Sequence, residues 1–159
     1  MNVQDKNEIA NGTENKWTAH LVPIGGRKCI YFIHKKSLYS VLVIDILKKD
    51  LKELNNLFYE AFVTQLKVDK IYNSEFERFL KENFSSMKLF STDNDQKTMG
   101  TMRDGIMHLK SFCEEKENKL DAAVEFCKYS LNRIPIGTRK FKYAKELMEE
   151  ELKTTANIA

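Results

Sequence analysis

The sequence predicts an α+β fold: a small antiparallel sheet starting with an N-terminal β-hairpin, and four to five helices packed mainly on one of its faces. Three observations carry this. Residues 17–33 form two alternating runs about Gly25-Gly26, a two-residue loop whose glycines supply the positive φ angles of a tight hairpin turn. Strand-like segments come first and helical periodicities follow, the order of an α+β chain and not of an alternating α/β one. The 159 residues are 42% hydrophobic and 31% charged, enough for one domain with a real core. That domain is expected over 17–155. Residues 1–16, rich in Asn, Asp, Glu and Lys, are expected to be a flexible tail.

With Gly25 and Gly26 as the loop, the register follows. Ile24 pairs with Arg27, Pro23 with Lys28, Val22 with Cys29, Leu21 with Ile30, His20 with Tyr31, Ala19 with Phe32 and Trp17 with His34. Trp17, Ala19, Leu21, Ile30 and Phe32 share one face, expected to be the core side. Thr18, His20, Val22, Cys29, Tyr31 and Ile33 share the other, expected to be partly covered. Pro23 falls at a pair that exchanges no hydrogen bonds, so its missing N–H points away from its partner. A strand there would lose a bond, which puts the first strand at a sheet edge.

Lys35-Lys36-Ser37 forms the next turn. Residues 38–47, rich in Val, Ile and Tyr, read as a third strand whose first half is also compatible with a helical turn. Asp50 as N-cap with Glu53 at N3 opens a helix over 51–67, with Leu51, Leu54, Phe58, Ala61, Phe62 and Leu66 at helical spacing. Ser74-Glu75-Phe76-Glu77 reads as a capping box opening a short helix with Phe76, Phe79, Leu80 and Phe84. Residues 86–91 are a strand candidate and 91–96 a loop. Met99, Met102, Ile106, Leu109 and Cys113 mark a helix despite Gly100 and Gly105, and Leu120, Val124, Cys127 and Leu131 mark another. Pro135 and Gly137 fix a break over 133–137. Phe141, Ala144, Met148 and Leu152 mark a last helix fraying near Thr154.

Charge is uneven although the net value is only +3. Residues 17–49 hold Arg27, Lys28, Lys35, Lys36, Lys48 and Lys49 against Asp45 alone. Residues 133–145 hold Arg133, Arg139, Lys140, Lys142 and Lys145 with no acid. If the clusters converge they form a basic patch able to meet phosphate or an acidic protein. Phe141 and Tyr143 within the second could stack on unpaired bases. The plainer alternative is a set of solvated lysines that also guard strand edges.

Chemistry-bearing motifs are few. Gly25-Gly26 precedes a strand and not a helix, so it is no phosphate loop. Cys29, Cys113 and Cys127 have no zinc spacing and read as reduced thiols of a cytosolic protein. His20, Cys29 and Tyr31 share a hairpin face, with His34 near its end, and could form a reactive Cys–His site if the side chains met. The polar first 16 residues suggest no signal peptide, and no apolar run reaches membrane-spanning length. No catalytic residue, metal or cofactor is expected.

Three segments, Trp17-Thr-Ala-His-Leu, Ile24-Gly-Gly-Arg-Lys-Cys29 and Gly100-Thr-Met-Arg-Asp104, resemble an uncharacterised family of small prokaryotic domains of unknown function. In that family a Trp-led hairpin ends in Arg-Lys, and a later Lys-Thr segment runs into Gly-Ser-Met-Asn-Asp. The resemblance covers most of 17–137, including the break from Asn132 to Pro135. Here Lys97-Thr98 runs almost directly into Met99-Gly100, and Arg103 stands where the family has Asn. The resemblance implies no activity. It singles out Arg27, Lys28, Lys97, Thr98 and Asp104.

These readings lead to a non-enzymatic, cytoplasmic interaction module, a regulator or accessory subunit with a protein partner. Its binding surface is expected to be basic: Arg27, Lys28, Lys35, Lys36, Lys97, Arg103, Arg139, Lys140 and Lys142. The alternatives are a single-stranded nucleic-acid-binding protein using clusters 27–49 and 133–145, and a small enzyme with the Cys/His site of the hairpin.

Overall fold

The computed structural model describes residues 3–4, 16–85, 89–90, 96–140 and 142–156. In chain order the strands are β1 (Val3–Gln4), β2 (Trp17–Ile24), β3 (Arg27–His34) and β4 (Ser40–Val43). Then come helices α1 (Leu54–Val68) and α2 (Glu77–Phe84), strand β5 (Leu89–Phe90), and helices α3 (Gln96–Glu114) and α4 (Lys119–Tyr129). Strands β6 (Pro135–Ile136) and β7 (Lys142–Tyr143) precede the last helix, α5 (Ala144–Thr155). The fold is the expected α+β class. Its main sheet is antiparallel in the order β2-β3-β4, with β1 and β5 forming a short parallel pair and β6 and β7 an antiparallel one.

The hairpin turns as its glycines require, with φ of 57° at Gly25 and 77° at Gly26, and its register is the expected one from Trp17↔His34 to Ile24↔Arg27. β2 lies at the sheet edge, as Pro23 demands. β3 is central and β4 continues the sheet from Ile30↔Val43 to Ile33↔Ser40.

Alternation along the sheet feeds two cores. Phe32, Val41 and Val43 join Phe58 and Phe62 of α1, Leu80 and Phe84 of α2, and Met148 and Leu152 of α5. Cys29, Tyr31, Ile33 and Leu42 join Met102, Leu109 and Cys113 of α3 and Ala122, Ala123 and Phe126 of α4. Three helices thus cover one face and two the other, and the Tyr31 face has the expected partial cover: Val22, Cys29, Tyr31 and Ile33 are buried, Thr18 is half-buried and His20 is exposed. Ala19 and Leu21, expected in the core, are exposed, Leu21 at 53%. The reason is position: α1 lies against β4, at the far side of the sheet from the edge strand.

Helix boundaries moved where caps were chosen by tertiary context. A 3-10 segment, Lys48–Glu53, precedes α1, and Asp50 is its third residue and not the N-cap, its Oδ2 accepting the Leu47 N–H at 2.9 Å. Asn73 and not Ser74 caps the next turn, accepting the Glu75 N–H at 2.9 Å, and α2 begins only at Glu77. The third strand is shorter than 38–47, because Leu38 and Asp45 bend the chain with φ of 61° and 59°. In α4, Ala122, Ala123 and Phe126 are buried while Val124 is 41% exposed, so the helix is rotated from the expected face. The strand candidate at 86–91 is seen as β5 at Leu89–Phe90. The rest of that candidate, the loop over 91–95, most of the 1–16 segment, and Phe141 lie outside the described residues.

Gly105 explains how α3 settles on the sheet. A Cβ there would stand 2.2 Å from the Tyr31 hydroxyl oxygen, well inside contact distance, so only glycine lets the helix approach. Gly105→Ala is expected to lower stability by about 1–3 kcal/mol through overpacking. Tyr31→Phe in the same chain should recover part of that loss in a double-mutant cycle of urea unfolding. On the opposite face, Trp17 stands edge-on to Phe58 and Phe62 with ring centroids 5.0 and 5.3 Å apart. Trp17→Ala is expected to cost about 3 kcal/mol, seen as a midpoint lowered by roughly 6–12 °C in thermal melts.

Candidate functional site

The basic residues do not form one patch. Arg27 and Lys28 open β3 just after the turn, while Lys35 and Lys36 follow its other end, about 25 Å away at strand rise. Arg27 makes a two-pronged ion pair with Asp45, Nε to Oδ1 at 2.7 Å and Nη2 to Oδ2 at 2.9 Å. That pairing holds the Asp45 carboxyl below its usual range. Among the described residues the second cluster meets the Lys36 end: Arg139 Nη2 donates to the Lys36 carbonyl at 3.3 Å. Lys36 itself faces Glu151 at 3.1 Å, Lys142 faces Glu150 at 3.1 Å, and Arg133 faces Asp69 at 3.7 Å. Arg139, Lys140 and Lys142 do not open the last helix. They precede it, in a 3-10 turn, at a left-handed residue and in β7, and α5 starts at Ala144. Lys97 and Arg103 lie on α3, exposed, as is Asp104, whereas Thr98 is buried.

The Cys/His face of the hairpin is split by burial. Cys29 is 0% exposed and its thiol is pushed up, chiefly by desolvation. Cys113 is also buried and raised, and burial pushes Cys127 up to about 12. An activated thiolate needs the opposite shift. His20 is exposed. His34 is buried and bound locally, with Nδ1 2.8 Å from Ser37 Oγ. Among the described residues no group of three or more His, Cys, Asp or Glu could hold a metal ion.

A polar cluster that sequence reading missed lies in the interior. Asp69 is 3% exposed and ends α1, where the helix dipole disfavours a carboxylate. Three neutral groups compensate by donating to its Oδ2: Tyr39 Oη at 2.5 Å, Gln65 Nε2 at 3.1 Å and Asn132 Nδ2 at 3.2 Å. Burial, and then the neighbouring Asp69 charge, hold the Tyr39 phenol well above its usual value, so it stays a donor. Asn132 also uses its amide like a strand neighbour, accepting the Ser40 N–H at 2.7 Å and donating to the Ser40 carbonyl at 2.9 Å. The outer edge of β4 is thereby closed at Ser40. The signal available in sequence was the Asn132–Pro135 break, which shows that the chain turns there but not what the amide reaches.

The edge of β2 is different. Ala19, His20, Leu21 and Pro23 are exposed, and among the described residues no strand lies beyond it. Its eight residues, WTAHLVPI, carry no charged side chain. Elsewhere, a shallow cleft of about 410 Å³ is lined by Asp121, Val124, Glu125, Lys128 and Tyr129, all from α4, so a single helix shapes it. No helix among the described residues is long and apolar enough to cross a membrane.

Fold and surface together define a class: an α+β domain whose three-stranded sheet lies between helices, with Asn132 closing one edge at Ser40 and, among the described residues, no strand beyond the other. The chain belongs to a family described as a domain of unknown function, DUF6933, whose model matches residues 1–147. No curated protein and no solved structure matches it.

Asn132→Ala removes the partner of a buried backbone N–H, and is expected to lower stability by about 2–4 kcal/mol in urea unfolding. Native Cys29 and Cys113 are expected to react with iodoacetamide far more slowly than in urea-unfolded chain, read by mass spectrometry.

Proposed function

We propose that the chain is a non-enzymatic interaction module, an intracellular regulator or accessory subunit, that binds protein through the open edge of β2. One observation carries the reading: an eight-residue edge strand without a charged side chain, exposed from Ala19 to Leu21, opposite an edge that Asn132 seals. Edge strands are ordinarily blunted by lysines, bulges or cover, and among the described residues Pro23 alone does so, at the turn end. An open edge of this kind supplies backbone hydrogen bonds to an added strand, while alternate side chains set its preference.

The meeting of Arg139 with Lys36 favours a second reading, single-stranded nucleic acid. Ion pairing of Arg27, Lys36, Arg133 and Lys142 leaves fewer cations to displace counterions. Filter binding at low salt is expected to show no retention of a single-stranded oligonucleotide at micromolar protein. Retention abolished by Arg139→Glu would establish the nucleic-acid reading instead.

For the protein-binding reading, affinity capture from the source cell is compared for wild-type and Leu21→Lys baits. Binders held by the wild type and lost with Leu21→Lys are expected. Identical recoveries from both baits would overturn the use of this edge.

A further inference from the structure

We draw no further inference here: the strongest candidate, the cationic end of the sheet where Arg139 meets Lys36, already has Lys36 and Lys142 paired with Glu151 and Glu150, and nothing in the structure shows what covers it.

Discussion

The structure turns on how Asp69 is held. A carboxylate at the C-terminal end of α1, shut away from water, is among the least favourable placements for a charge. It is tolerated because Tyr39, Gln65 and Asn132 all donate to one oxygen and Arg133 stands 3.7 Å from the other. Those donors come from the segment entering β4, from α1 itself, and from the chain leaving α4. Satisfying one carboxylate oxygen therefore fixes three otherwise separate parts of the fold. Removing one donor leaves buried polar atoms without partners, so the parts stand or fall together.

Asn132 links that node to the sheet. Its amide takes the hydrogen bonds that a fourth strand would have made with Ser40, while Tyr31 reaches the Ser40 hydroxyl at 2.9 Å from the central strand. The sheet is thus terminated on one side by a side chain. On the other side, among the described residues, no strand lies beyond β2. The two edges thus differ in chemistry.

Folding also redistributes the charge that the sequence concentrates. The sequence is rich in lysine and arginine near the hairpin and near residue 140, yet folding sets Asp45, Glu150, Glu151 and Asp69 against four of those cations. β3 also carries the two halves of the first cluster to opposite ends. Local excess of one sign along a chain does not survive when distant acids fold onto it. Burial likewise raises all three thiols above their usual range.

Period and turn chemistry made much of the fold legible. Gly25-Gly26 determined the hairpin, its turn and its whole register, because a two-residue loop admits only one pairing. Pro23 determined which strand is the edge. Helical spacing located the cores of α1, α3 and α5, since those helices bury one stripe. Caps shifted by a few residues because Asp50 and Asn73 compete with neighbours of similar chemistry, and the chosen one depends on where the preceding chain comes from. The rotation of α4, the burial of Cys29 and the exposure of Leu21 were decided by which helix lies over which strand. The Asp69 node bonds Asp69 to a residue 63 positions away and that residue to Ser40, 92 positions away, and no local pattern encodes such a meeting. Sequence by itself determined what could be settled within a few residues, where backbone sterics and hydrogen-bond geometry act. Only the tertiary structure decided which charges are cancelled, which polar groups are buried and which edge stays open, because those depend on the summed packing of elements far apart in the chain.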